Sequence, residues 1–325
     1  MARCVRIKLR LVLALLVVLA HVGATVRVEA QPAAPSLRSL AVRLGFPDTA
    51  RLLILHADDL GITPGVDRAT IAALASGAVS SASIIAPSPS LTTTARALAR
   101  AGQFDLGVHL TLTSETAFMR RRPSAAAGRV PSLVDGEGVF PVIISPAAQP
   151  DEIERELEAQ IDAVRAAGIN ITHLDSHQFI LYTSGEAVFE AFRRVARRAC
   201  LPMLVPRGLM SQAPYLRAAI EDGQVLVNDV VSIDPSVPPA EWTAFYERTV
   251  KGLAPGLAEL IVHLGEDTPD ERAAFRGLAG WGADWRERDR QVIASPAFRA
   301  LLEREGIRVV TWGEVARVAG PCVKR

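Results

Sequence analysis

Short apolar runs rich in β-branched residues alternate with helical patterns along most of this 325-residue chain. Each run predicts a buried strand, and the apolar residues between runs recur at the three- and four-residue spacing of a helix. The predicted strands are 52–56, 82–86, 106–112, 171–175, 203–205, 260–264 and 307–311. The predicted helices are 64–77, 90–102, 151–167, 186–200, 241–251, 288–293 and 296–305. This order predicts an α/β fold with a mainly parallel sheet, either a barrel or a doubly wound sheet.

Residues 1–30 have the form of a secretory signal peptide. Basic residues precede an unbroken apolar run over 11–20, and small residues offer cleavage after Ala24 or after Ala30. The run is short for a bilayer span, which needs about 20 apolar residues, and an uncleaved anchor is the alternative. We therefore expect export to the periplasm or the outside of the cell, with no stable membrane span after processing.

The rest of the chain predicts one domain with a long loop. Residues 31–50 contain three prolines and predict a linker into a domain over 51–318, followed by a tail at 319–325. Residues 114–150 lack clear periodicity and are too long for an ordinary connector. They predict a lid or a binding loop, and a disordered insertion is the alternative.

Charge and cysteine content exclude several classes of protein. Lys and Arg total 36 against 35 Asp and Glu, and loss of the basic signal segment would leave the mature chain mildly acidic. A nucleic-acid partner is not expected, because it would require a basic stripe. Three cysteines are too few for a disulfide scaffold or a multi-cysteine zinc module. Cys200 and Cys322 remain after signal removal, and they either pair in an oxidising compartment or stay free.

Five histidines outside the signal segment lie in or directly after predicted strands: His56, His109, His173, His177 and His263. The carboxyl ends of parallel strands carry the active site in α/β folds. A single strand histidine is more often a buried core residue, but five of them beside an aspartate pair favour a functional site. Imidazole and carboxylate are the usual ligands of a catalytic divalent metal, so the pattern predicts a metal centre.

The aspartate pair directly follows the first predicted strand. Consecutive side chains there point in different directions, so one of Asp58 and Asp59 can bind a metal while the other accepts a proton from the substrate water. Gly61 suits a sharp turn of the backbone under such a site. An ordinary turn built on Asp-Asp-Leu-Gly is the alternative.

Several blocks, in consistent order over about 51–315, resemble the YdjC-like carbohydrate deacetylases, the ChbG/HpnK group. The blocks are HADDLG at 56–61, residues 80–86, GVHLTLT at 107–113, THLDSH at 172–177, VHLG at 262–265 and GADWR at 282–286. The resemblance implies a distorted (β/α) barrel related to the NodB-type polysaccharide deacetylases. It also implies a metal-dependent hydrolase that removes acetyl groups from N-acetylated sugars, which would be the substrate partner.

The resemblance also implies roles for individual residues. Asp59, His109 and His177 would bind the metal, Asp58 would be the general base, and His263 would protonate the leaving amine. His173 and Asp175 would orient ligands or contact substrate, and His56 would have a supporting role where many members carry Asn. Trp285, Trp281 and the 114–150 loop are candidates to stack on or cover a sugar ring, with core packing as the alternative for each tryptophan.

Two departures from the family pattern surround these residues. Leu264 replaces the usual proline after His263, and Gln178 with Phe179 replaces the histidines that follow His177 in many members. Neither change removes an expected ligand, but both alter the surroundings of the site, and substrate identity and chain length stay open.

The metal and the function class have alternatives. Two histidines and one carboxylate suit Zn²⁺ by ligand type, and Mg²⁺ is common in models of relatives. The same ligand set serves non-haem Fe(II) oxygenases, although Asp58 and the strand–helix order disfavour that class. A secreted carbohydrate-binding protein without catalysis is a further alternative. Oligomeric state stays open, with a homodimer as one option.

Overall fold

The computed structural model describes residues 39–116, 119–278 and 280–323. The expected signal peptide 1–30 and the first part of the expected linker lie outside the described residues. Leu40–Arg43, within that linker, form a short helix whose Ala41 is buried against the domain. This part of the linker therefore belongs to the folded domain. Within the described residues, no helix combines the length and the apolar content that crossing a membrane requires.

Strands and helices alternate as the apolar pattern predicts. The strands are β1 (Arg51–Leu60), β2 (Ser81–Ile84), β3 (Leu106–Leu110), β4 (Ile171–Ser176), β5 (Val205–Pro206), β6 (Leu226–Val227), β7 (Asp229–Ser232), β8 (Gly256–Val262) and β9 (Arg308–Val309). The helices are α1 (Leu40–Arg43), α2 (Pro64–Ser76), α3 (Leu91–Ala101), α4 (Pro150–Ala166), α5 (Ile180–Thr183), α6 (Glu186–Ala199), α7 (Ala218–Glu221), α8 (Trp242–Gly252), α9 (Pro269–Ala274), α10 (Ala283–Ile293), α11 (Pro296–Arg304) and α12 (Trp312–Val318).

The main sheet has the order β4-β3-β2-β1-β8-β7, and β9 also pairs with β1. Every strand pair described in it is parallel, which confirms the α/β class with mainly parallel strands. The short β5–β6 sheet joins β4 through a single bridge between Leu174 and Met203. Only Asn228 separates β6 from β7. β4 and β7 are the two edge strands of the main sheet. A single bridge links β4 to the β5–β6 sheet, and the chain itself links β6 to β7.

β1 lies inside the sheet and carries the aspartate pair. Residues 52–55 are buried, as expected for a parallel strand covered on both faces. The strand continues four residues beyond its expected end at His56, because Leu60 still pairs with Ile84 of β2. β8 starts earlier than expected and ends at Val262, so His263 directly follows it.

The described part of the 114–150 loop is packed against the domain. It contains two 3₁₀ turns, Ala127–Arg129 and Pro131–Leu133. The buried Glu156 carboxylate of α4 accepts hydrogen bonds from the backbone N–H groups of Ser124 and Ala125, at 2.9 and 2.8 Å. These contacts favour an ordered loop over a disordered insertion.

A disulfide joins Cys200, directly after α6, to Cys322 in the C-terminal tail, with a Cα–Cα distance of 5.3 Å. The pairing that the sequence left open is therefore formed in the structure. Ala319, at the start of the expected tail, is buried. The burial of Ala319 and the disulfide at Cys322 thus hold this segment to the domain.

We predict that Cys322→Ser lowers the free energy of unfolding by about 2–4 kcal/mol, because the disulfide restricts the unfolded chain across a separation of 122 residues. Thermal unfolding without reductant measures the change in Tm. A reductant should lower the Tm of the wild type and leave Cys322→Ser unaffected. Equal Tm values for the two proteins without reductant would contradict the prediction.

Candidate metal centre

Three buried side chains meet at the carboxyl ends of β1, β3 and β4. Asp59 Oδ1 lies 3.1 Å from His177 Nδ1 and 3.5 Å from His109 Nε2. One ligand atom from each residue lies within 4.8 Å of the other two. The structure therefore brings together the three residues that the sequence predicts as metal ligands.

The local backbone explains why these side chains converge. His109 belongs to β3, while His177 directly follows β4, and the two strands run parallel with His109 opposite Asp175. Asp59 has a left-handed backbone with φ of 68°, and Gly61 follows with φ of 92°. This conformation is uncommon for a residue other than glycine, and such residues cluster at functional sites.

A carboxylate lies on the far side of each imidazole. His109 Nδ1 lies 2.8 Å from Asp175 Oδ1, which leaves Nε2 facing Asp59. His177 has the opposite arrangement, since Nδ1 faces Asp59 and Nε2 lies 3.2 Å from Glu115 Oε1. Carboxylates in this position fix the ring tautomer and raise the ligand basicity of histidines at metal centres.

The two oxygens of Asp59 have different surroundings. Oδ2 accepts a hydrogen bond of 2.7 Å from Arg286 Nη2, and both side chains are buried. Although burial alone would raise the pKa of Asp59, the Arg286 guanidinium and the two imidazoles hold that pKa well below its usual range. The carboxylate is therefore ionised at neutral pH.

The free ligand atoms fit a cation. Asp59 Oδ1 is buried and has no hydrogen bond of acceptable geometry, although two imidazole nitrogens face it. A buried carboxylate oxygen without a partner is costly, and a cation between Oδ1 and the two nitrogens would satisfy it. Two imidazoles and one carboxylate form a three-ligand set that leaves positions for water or substrate.

Asp58 lies beside this group and lines the same cavity. Its Oδ1 lies 3.2 Å from His56 Nε2, and its Oδ2 lies 3.7 Å from His109 Nε2. Burial raises the pKa of Asp58 to about 6. A carboxylate with such a pKa accepts a proton more readily near neutral pH than an exposed aspartate does.

The remaining polar residues named from the sequence lie behind the ligands. His56 Nε2 is 3.0 Å from Asp175 Oδ2, and the His173 ring stacks on Trp312 with centroids 5.2 Å apart. His56, His173 and Asp175 are fully or almost fully buried and do not line the cavity. Their placement fits an orienting role for His56 and Asp175, makes His173 a core residue, and does not fit contact with substrate.

The cavity in front of the ligands has a volume of about 390 Å³. Besides the ligands, Asp58 and His263, its lining includes Ile62, Gln178, Phe179, Leu278 and Trp281. Trp281 is 36% exposed, whereas Trp285 is 2% exposed and packs against Trp281 and His263. Of the two tryptophans named for sugar stacking, Trp281 therefore lines the cavity and Trp285 belongs to the core.

His263 lines the cavity directly after β8. Its backbone N–H donates to Asp289 Oδ2 at 2.9 Å, which fixes the position of the residue. Burial lowers the pKa of the ring to about 3, so the imidazole is neutral at neutral pH. The expected role as a proton donor therefore requires that the ring gain a proton during the reaction.

Sequence reasoning missed two charged residues of the site, Glu115 and Arg286. Glu115 comes shortly after the GVHLTLT block and is held by Arg121, whose Nε donates to it at 2.9 Å. Arg286 ends the GADWR block, in which the sequence analysis gave a role to Trp285 alone. Their contacts with His177 and Asp59 and their place in the cavity lining mark these two residues, and neither feature leaves a pattern in the sequence.

The fold and the site define a parallel α/β protein with a candidate metal centre at the carboxyl ends of its strands. The family model described as YdjC-like protein matches residues 52–304, and the chain belongs to this family. A carbohydrate deacetylase of Thermus thermophilus is 35% identical over 287 residues, which is 85% of this chain and 97% of that protein.

One further relative and one solved structure extend the comparison. A carbohydrate deacetylase of Geobacillus stearothermophilus is 33% identical over 157 residues, covering 47% of this chain and 59% of that protein. A crystal structure of an Enterococcus faecalis V583 protein, named as a candidate cellobiose-phosphate cleavage protein, has a TM-score of 0.66 at 23% identity. It covers 81% of this chain and 98% of its own, and it shows that the two share a fold.

We predict that His109→Ala loses most of the divalent metal that the wild-type protein retains, because one of three ligands is removed. Metal content per chain after dialysis, measured by plasma mass spectrometry, checks this. His263→Asn is the matched control, since His263 lines the same cavity outside the ligand group, and it should keep wild-type metal content. Full metal content in His109→Ala would show that the ligand set is wrong.

Proposed function

We propose that this protein is a metal-dependent hydrolase that removes acetyl groups from N-acetylated sugars. The observation that carries the proposal is the convergence of Asp59, His109 and His177 with the separate carboxylate of Asp58 at one cavity. Similarity to a carbohydrate deacetylase over 85% of the chain supports the sugar substrate.

The ligand group would hold a divalent cation, Zn²⁺ or Mg²⁺, which when bound supplies a Lewis acid for water and for the acetyl carbonyl. The two imidazoles favour Zn²⁺ by ligand type. Asp58 accepts the proton of the attacking water, and His56 Nε2 lies 3.2 Å from one of its carboxylate oxygens. Arg286 and Glu115 also line the cavity and contact Asp59 and His177.

His263 is the candidate to protonate the sugar nitrogen as the amide bond breaks. Its ring lines the cavity, and its backbone is fixed by Asp289. Because the ring is neutral at rest, the proton that it donates has to be one released during the reaction. Acetate and a free amine are the products.

The cavity wall supports binding of a sugar ring. Trp281, Leu278 and Phe179 present apolar surface next to the ligand group. Gln178 and Phe179 belong to this wall and have left-handed backbones, with φ of 53° and 56°. An aromatic face of this kind packs against the C–H face of a pyranose, while the acetyl group faces the ligands.

We also propose that the protein acts outside the cytoplasm. The signal-like segment 1–30 and the Cys200–Cys322 disulfide both support export, because disulfides persist mainly in oxidising compartments.

Acetate release from a panel of N-acetylated mono- and oligosaccharides tests the proposed function. We expect release that EDTA abolishes and that added Zn²⁺ or Mg²⁺ restores. Absence of chelator-sensitive release from every sugar in a broad panel would contradict the proposal. Turnover that required Fe(II) and O₂ would instead support an oxygenase.

Asp58→Asn should lower kcat by about 10²–10⁴-fold while it retains metal, because the base is lost and the ligands stay. The wild-type kcat/KM should fall as the pH decreases through the pKa of Asp58, since the protonated carboxyl cannot accept the water proton. Burial raises that pKa to about 6 without the cation. The positive charge of a bound cation would bring it below this value. A kcat/KM that increased towards lower pH, or an active Asp58→Asn, would exclude Asp58 as the base.

Trp281→Ala should raise KM about three- to tenfold with little change in kcat, because stacking on the sugar ring is lost. Trp285→Ala is the matched comparison and should instead lower the free energy of unfolding by about 3–5 kcal/mol, because its side chain is buried. Kinetics on the best substrate and thermal unfolding measure the two effects. Wild-type KM in Trp281→Ala would exclude the stacking role.

A further inference from the structure

Arg286 is a buried charged residue in the cavity lining, and among the described residues its guanidinium donates one hydrogen bond. Its side chain is 4% exposed, and Nη2 donates to Asp59 Oδ2 at 2.7 Å. Nε and Nη1 have no hydrogen-bond partner among the described residues. A buried guanidinium with five N–H donors normally has several partners. Hydrogen bonding of its own N–H groups therefore does not explain where the Arg286 side chain lies, whereas its bond to Asp59 does.

The packing around Arg286 fixes the guanidinium relative to β1. Its Cζ lies 4.6 Å from the centroid of the Phe275 ring. A Cβ atom at Gly265 would lie 2.8 Å from Arg286 Cβ, so only glycine permits this approach of the chain after β8. Arg286 therefore has little freedom to move away from Asp59.

The same helix also contacts His263, another residue that lines the cavity. Asp289, one turn further along α10, accepts hydrogen bonds from the His263 backbone and from Trp242 Nε1, at 2.9 and 3.1 Å. Trp285 packs against the His263 ring, with centroids 5.1 Å apart. Trp285, Arg286 and Asp289 thus attach α10 to the site. Of these three residues, Arg286 is the one that contacts a candidate metal ligand.

Occupation of Oδ2 has a direct consequence for Asp59. A carboxylate can bind a cation through one oxygen or through both. With Oδ2 held by Arg286, only Oδ1 faces the two imidazole nitrogens. The arrangement selects coordination through a single oxygen.

We propose that Arg286 is a positioning residue that restricts Asp59 to coordinating the metal through Oδ1 alone. This inference rests on the metal centre of the proposed function, but not on the identity of the substrate or on the reaction. Partners of this kind around metal ligands typically change metal affinity by about 10–100-fold when they are removed.

Titration of the full chain with Co²⁺, followed by visible absorption, tests the proposal without any substrate. Arg286→Met should weaken Co²⁺ binding at least about tenfold. At saturating Co²⁺ its spectrum should differ from that of the wild type, because Asp59 can then bind through both oxygens and change the coordination number. A loss of stability alone would not alter the spectrum of the saturated, folded protein.

Arg288→Met is the matched control on the same helix. Arg288 packs over Trp242, pairs with Asp284 and contacts none of the three ligands. Its Co²⁺ affinity and spectrum should equal those of the wild type. If circular dichroism shows that Arg286→Met does not fold, Arg286→Gln and Arg286→Lys are measured in the same way.

A folded Arg286 variant with wild-type Co²⁺ affinity and spectrum would overturn the proposal. An equal effect of Arg288→Met would also overturn it, as would failure of all three Arg286 variants to fold, which would indicate a structural role. Absence of acetate release from any sugar would contradict the proposed function and leave these Co²⁺ results interpretable.

Discussion

The carboxylate of Asp59 is the group on which the rest of the site depends. It is buried at the end of a central strand, where an isolated charge would be strongly destabilising. Arg286 on one side and two imidazoles on the other compensate for this burial. The fold brings these three partners from separate elements, since His109 lies in β3, His177 directly follows β4 and Arg286 lies in α10. Asp59 contacts all three partners while its backbone is in the uncommon left-handed conformation.

Much of this arrangement could be predicted from the sequence, for physical reasons. The apolar runs define parallel strands, and parallel strands bring their carboxyl ends together. Asp59, His109 and His177 follow or end such strands, so their convergence followed from the strand order and from the resemblance to a known family. The α/β class is confirmed in the same way, because period and order along the chain determine it.

Other features depend on contacts that no local pattern records. Arg286 acts on a residue 227 positions away, and the spacing between them carries no signal. Trp281 and Trp285 are the same type of residue four positions apart, and the sequence does not distinguish them. In the folded chain the first lines the cavity and the second is buried. His173 also looks like a site residue, yet stacking on Trp312 places it in the core. Side-chain direction within an element separates these cases.

Anomalous diffraction from a crystal of the Zn²⁺-loaded protein tests the central claim most directly. The account predicts a peak about 2.0–2.2 Å from Asp59 Oδ1, His109 Nε2 and His177 Nδ1. It also predicts that Asp59 Oδ2 still accepts the hydrogen bond from Arg286 Nη2. A peak on the neighbouring group of His56, His173 and Asp175, or no peak at the three predicted ligands, would contradict it.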